Sequence, residues 1–303
     1  MSTEPASLRT LVLLPMSSPL DPPPWADHLR RPDDWGLSRW RRGRSLLRWS
    51  LRVAVTARHY DRVVVVTGGL ELFFLAPLLR CQVLAVDWLL PDNPRFDQLA
   101  RFGKVRFIVV RRADRATLQR RFGIDRDRTR FVAFPAPQDV GPVTDDGYAY
   151  SAGWAHRDWD TLLAAQARNE LRTVIAGQLP SINAPGLTVL PPLSPVEGRK
   201  MMRAARYVVL ALEDTELPSG PLVLLDALAH GKPVAVTDVG GSRDYVTDGV
   251  DALLVPPGDP DALDIAMRQL DSDAALRSRL AVGATRRAAE LEPQHFWREV
   301  LER

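Results

Sequence analysis

Between Glu213 and Asp259 the chain gathers residues suited to holding an anion. Ser219 and Pro221 are types favoured at the cap and first turn of a helix, and they follow a run, Tyr207 to Leu212, that reads as a strand. The unpaired N–H groups of such a helix start, with Gly220 inside it and Leu222 next, make a site for a diphosphate. Asp226 falls one turn beyond Leu222. Helical side chains lean toward the N-terminus, so its carboxylate can point back into a cleft, or it stands as an exposed helix acid. Gly231-Lys232-Pro233 then stops the helix and launches a strand, which gives Lys232 a capping position; the GxxxxGK[ST] surroundings of a P-loop lysine are absent.

Elements of a particular kind must position these groups. Short β-branched or leucine-rich runs alternate with helix-sized segments, the pattern of parallel sheets with helices on their faces. The first series has strands at Thr10 to Leu14, Arg62 to Thr67, Gln82 to Asp87, Val105 to Val110 and Arg130 to Phe134. Its helices are expected near Ser45 to Arg58, Leu70 to Leu79, Phe96 to Phe102 and Asp114 to Phe122. The proline-rich segment from Ser17 to Trp35 is expected to be irregular, since proline removes donors and fixes φ. A second strand-helix series follows the turn-rich stretch Pro135 to Gly147. The reading is α/β, with two Rossmann-like domains whose parallel sheets face a central cleft, over 1–140 and 141–285, and a C-terminal helix over 286–303 packing back on the first domain. Neither series carries GxGxxG after its first strand, which removes most support for a dinucleotide oxidoreductase.

Composition narrows the class. With 303 residues, 46% hydrophobic and 25% charged, the chain has apolar material for two cores and is neither disordered nor collagen-like. One cysteine, Cys81, cannot close an intrachain disulfide or build a cysteine-rich zinc site, which fits a reducing cytoplasm. The longest apolar stretch, Leu70 to Leu79, is broken by Glu71 and Pro77 and falls short of a membrane span, and Leu11 to Leu14 is strand-sized, not a leader. Net charge is +3, supplied almost wholly by arginine; no nucleic-acid-binding signature accompanies it, and no nucleic-acid partner is expected.

The segment from about Tyr148 to Asp271 resembles the nucleotide-sugar-binding domain of GT-B-fold retaining glycosyltransferases, group 1 or family 4-like, through Gly220 to Gly241 and Asp248 to Leu263. That resemblance implies roles for individual residues. The family places two glutamates about a seven-residue spacer, the second binding the donor ribose. Asp226 takes the second place, one methylene shorter; the first falls on Pro218, with Glu216 nearby but out of register. Gly153-Trp154 stands where the family has a glycine-arginine pair, so the diphosphate cation is assigned to Arg157, with His156 beside it. Asp87, ending a strand, resembles the family's acidic or histidine residue on the acceptor side. Gly68-Gly69 follows another strand and offers close backbone approach.

The resemblance implies sugar transfer from a UDP or GDP sugar to an acceptor hydroxyl, with retention and without a cofactor. No metal is assigned: Asp158-Trp-Asp160 has the DxD spacing but reads as a helix start. A catalytically inactive GT-B-like binding or partner subunit is the alternative, given Pro218 and Trp154. Arg41, Arg44, Arg48 and Arg52 recur at helical spacing, a stripe that suits either anionic lipid headgroups or solvent. A cytoplasmic protein, peripheral at the inner face of the membrane, is the location this implies.

Overall fold

The computed structural model describes residues 8–16, 18, 20–31, 38–66, 79–87, 103–138, 140–153, 155–216 and 221–302, apart from the side chains of Arg39 and Arg42. The chain divides into two units, Met1–Val132 with Trp297–Arg303, and Ala133–Phe296.

The first unit holds β1 (Thr10–Pro15), β2 (Asp27–Arg31), β3 (Arg62–Val66), β4 (Gln82–Val86), β5 (Val105–Val109) and β6 (Thr129–Phe131). They form one parallel sheet in the order β2-β1-β3-β4-β5-β6. Arg62-Val-Val-Val-Val is buried throughout, as a central parallel strand covered on both faces must be. Two helices, α1 (Arg39–Thr56) and α2 (Arg112–Phe122), supply Trp49, Val53, Leu118 and Phe122 to a core with Leu11, Leu13, Val63, Val65, Val83 and Val105. These strand positions alternate, so they share one sheet face. Gly123 ends α2 at φ 60°, its N–H bonded to the Gln119 carbonyl.

One expectation fails here. The prolines from Ser17 to Trp35 predict an irregular segment, yet β2 lies inside it, paired with β1 from Leu11↔Asp27 to Pro15↔Arg31. The physical reason is local. Pro22, Pro23 and Pro24 end before the strand and Pro32 follows it, so Asp27–Arg31 is proline-free and sits at the sheet edge. The expected helix at Leu70 to Leu79, apart from Leu79 itself, the expected helix at Phe96 to Phe102, and Gly68-Gly69 lie outside the described residues.

The second unit holds β7 (Ala149–Ala152), α3 (Trp159–Asn169), β8 (Thr173–Ala176), β9 (Leu187–Leu190), α4 (Pro195–Ala204) and β10 (Tyr207–Leu210). It continues with α5 (Pro221–Ala229), β11 (Val234–Thr237), β12 (Leu253–Val255), α6 (Pro260–Ser272), α7 (Ala274–Glu290) and the start of α8 (Pro293–Leu301). The parallel order β12-β11-β10-β7-β8-β9 is the doubly wound Rossmann order, with its switch point between β7 and β10. Capping explains several helix starts: Ser194 and Glu197 form a reciprocal box before α4, and Asp259 and Asp273 accept from the first turns of α6 and α7.

One further correction belongs to this unit. The stretch 286–303 is not one helix, because α7 ends at Glu290 and α8 begins at Pro293, the residue before a proline being disfavoured in helical backbone. Lys232 caps the helix it follows through its backbone, its N–H donating to the Ala227 carbonyl at 2.9 Å after the left-handed Gly231. Its Nζ donates to the Thr144 carbonyl at 2.8 Å and to Ala205, the C-cap of α4. Burial lowers its pKa to about 8.

Candidate functional site

Open α/β sheets bind ligands beyond the carboxyl ends of the strands at the switch point. In the second unit that place is filled by the loop after β7, from Gly153 to Asp158, and by the residues after β10. The backbone pins the loop on both sides: Gly153 N–H donates to Ala176, Asp158 N–H to Ala211, and Glu213 N–H to His156. Leu212 N–H donates to Thr237 Oγ1 at 2.9 Å, tying in the end of β11.

Arg157 is the centre of this arrangement. It is 8% exposed, with Nε donating to the Ala152 carbonyl at 2.9 Å and Nη1 to the Ala155 carbonyl at 3.0 Å. Among the described residues it pairs with no carboxylate, and burial alone lowers its pKa to about 10. A buried guanidinium whose partners are neutral carbonyls is a cation with unspent attraction for an anion. Gly153 makes the geometry possible. It sits at φ 131°, and a Cβ there would come within 2.3 Å of Arg157 Nη2.

His156 adopts left-handed backbone, φ 50°, and its Nδ1 lies 3.4 Å from Glu213 Oε2. Asp158 is the N-cap of α3: Oδ1 accepts from Thr161 N–H at 3.0 Å and Oδ2 from Thr161 Oγ1 at 2.6 Å. This carboxylate fixes the end of the Arg157 loop. Asp158→Ala is expected to destabilise the protein by about 1 kcal/mol, read by urea denaturation.

Pro221 opens the described part of α5 and Leu222 is 48% exposed in its first turn. Glu216 is exposed at a bend ahead of it. Trp154, Pro218, Ser219 and Gly220 lie outside the described residues. Asp226, on α5, is neither bare nor fully exposed: its Oδ1 accepts from Arg199 Nε at 3.0 Å, and its side chain is 21% exposed. Burial raises its pKa, against the opposing pull of Arg199 and, more weakly, His230. The Tyr150 hydroxyl on β7 is buried without a hydrogen-bond partner among the described residues, and its pKa is raised by burial with additions from Tyr148 and Asp226. Arg199 is therefore a member of this neighbourhood that sequence reasoning missed. It lies 27 positions from Asp226 on a different helix, and no spacing rule joins them. Thr237 was missed likewise.

In the first unit, Asp87 directly follows β4 and takes left-handed backbone at φ 49°. It is half-buried, and its N–H donates to the Ile108 carbonyl. Burial raises its pKa to about 6, repulsion by Asp114 adds to this, and Arg111 partly offsets it. Arg111 and Asp114 form a buried ion pair at 2.5 Å.

Comparison with known proteins gives this geometry a context. Residues 140–273 match the family model described as "Glycosyl transferases group 1". Over 103 residues the chain is 44% identical to the D-inositol 3-phosphate glycosyltransferase of Frankia alni, a match covering 33% of this chain and 24% of that protein. The chain spans about a quarter of the length of the curated relatives it matches. Anabaena HepE, solved in complex with UDP-glucose, superposes with a TM-score of 0.73 at 12% identity over 97% of this chain and 98% of its own. A glycosyltransferase from Rickettsia africae superposes at 0.69 and 10% identity over 98% and 97%. The fold is thus the α/β GT-B fold of two Rossmann-like units, with residues 140–273 similar to the group 1 glycosyl transferases.

Proposed function

We propose that the protein transfers a sugar from a nucleoside-diphosphate sugar, UDP- or GDP-linked, to an acceptor hydroxyl with retention at the anomeric carbon. The observation that carries this reading is the buried Arg157, without a carboxylate partner among the described residues, at the switch point of a segment similar to group 1 glycosyl transferases. In the reaction the bond from anomeric carbon to diphosphate oxygen breaks, the bond to the acceptor oxygen forms, and the hydroxyl proton passes to the departing diphosphate. Negative charge grows on the diphosphate, where Arg157 and the first turn of α5 at Pro221 and Leu222 stabilise it, and Ser219 and Gly220 are assigned to the same group from the sequence. Gly153 gives Arg157 room, and Trp154, His156 and Glu216 border the donor. Asp226 binds the ribose hydroxyls, and Asp87 serves the acceptor side. UDP-glucose bound to HepE, a protein of the same fold, supports a nucleotide-sugar donor. Peripheral contact with an anionic membrane through Arg41, Arg44, Arg48 and Arg52 belongs to the same reading.

Calorimetry with UDP and GDP tests the donor site. Asp226→Asn removes the charge and keeps the shape, so affinity for the preferred nucleotide is expected to fall by about 1.5 to 3 kcal/mol. Unchanged affinity in a folded variant would remove Asp226 from the donor site; no affinity for either nucleotide in the wild type would overturn the function.

A further inference from the structure

Helix α1 carries two apolar stripes, and the fold uses one. Leu46, Trp49 and Val53 are buried, whereas Trp40, Leu47, Leu51 and Val55 are 80%, 54%, 52% and 58% exposed. At about 100° per residue the four exposed positions fall within an arc of about 80°, and Arg44 lies among them. Arg41, Arg48 and Arg52 occupy the adjoining arc of about 40°, between this ridge and the buried face. All four arginines are exposed, and none pairs with a carboxylate among the described residues.

The charge placement works against the helix by itself. Six arginines and no acid occur between Arg39 and Thr56; Ser38 makes no side-chain cap, and the first turn holds no acidic residue. Cations at this end meet the positive pole of the helix dipole, a local conflict of the sort expected where a surface has another use. An anionic lipid surface resolves both features together. Headgroup phosphates neutralise the arginines, and the ridge buries itself at the level of the upper acyl carbons, with a tryptophan at the end of the helix. A second copy of the same face would instead bring two arginine stripes together.

We propose that α1 is a membrane-interface helix, which inserts Trp40, Leu47, Leu51 and Val55 between anionic lipids while Arg41, Arg44, Arg48 and Arg52 hold the headgroups. This rests on the peripheral-contact part of the proposed function and adds an inserted apolar edge to it; the donor chemistry does not enter.

The test is co-sedimentation of the full chain with vesicles of phosphatidylcholine alone and of phosphatidylcholine containing phosphatidylglycerol, at low and moderate salt. Wild type is expected to sediment with the anionic vesicles only. Trp40→Gln/Leu47→Gln/Leu51→Gln should lose at least tenfold in partitioning at both salts. Each arginine replaced by Gln should cost about fivefold at low salt and less at moderate salt. Thermal melting and UDP binding of each variant, measured without lipid, should match wild type, so failure of membrane binding and failure of the donor reading separate cleanly. Wild type left in the supernatant with anionic vesicles overturns the proposal. So does full binding by the apolar triple variant, which would mean electrostatic contact without insertion. A wild-type dimer that the triple variant abolishes, with no lipid binding, would assign the face to a second copy and overturn it as well.

Discussion

Arg157→Met is expected to lower turnover by about 10²- to 10³-fold while nucleotide affinity changes far less, because the guanidinium acts on charge that develops as the diphosphate departs. Its position supports this division of effect. The side chain is already held by the Ala152 and Ala155 carbonyls, so no reorganisation is needed to meet the leaving group. Arg157→Lys keeps a charge but cannot span both carbonyls and a phosphate, and it should recover only part of the loss. Gly153→Ala reaches the same group from outside. The new methyl would overlap Nη2, and φ 131° strains any L side chain, so turnover and stability should fall together. Single-turnover kinetics with the preferred donor decides the matter: wild-type turnover in Arg157→Lys and Arg157→Met would take this residue out of the mechanism.

Asp87→Asn should stabilise the protein at pH 7.5 and have a smaller effect at pH 4.5. The carboxyl titrates near 6 in the folded chain against a reference of 3.8, so between those values the folded state binds more protons than the unfolded. Stability therefore falls as pH rises through this window, and the cost is fully present above it. The shift bounds the gain at about 3 kcal/mol, reduced by the water that reaches a half-buried group. Asparagine tolerates left-handed backbone as aspartate does, which isolates the charge. Urea denaturation at the two pH values measures the effect. Equal changes at both would mean that the carboxyl is not held neutral, whereas loss of transfer despite the added stability would support its acceptor-side role.

Reading the sequence found the strands well, because buried parallel strands are short runs rich in β-branched residues, as in Arg62-Val-Val-Val-Val. Helix starts with Ser194, Asp158 and Asp259 carried their own caps. The edge strand Asp27–Arg31 escaped because it is polar, half-exposed and framed by prolines, so neither alternation nor hydrophobicity marks it. Of the site, Arg157 and Gly153 could be named from sequence, but the reason they belong together could not, since it lies in a φ angle and a clash distance. Arg199 and Thr237 act through contacts made by tertiary packing, and periodicity carries no trace of these. Trp40 and Trp49 both neighbour the arginine stripe in sequence; only burial separates the core residue from the exposed one.

The first unit is discontinuous along the chain. Its buried Arg62 donates to the Leu301 carbonyl, Trp297 Nε1 donates to Asp21, and Arg130 bonds Glu299, 169 positions away. During synthesis those bonds wait until the ribosome has delivered residues 297–301, roughly 10 to 30 s after β6 emerges at ordinary elongation rates. The second unit, contiguous from Ala133 to Phe296, can close its core beforehand. Vectorial folding is thus reversed in this protein: the half made first is finished last, and its sheet is what a nascent-chain chaperone would meet.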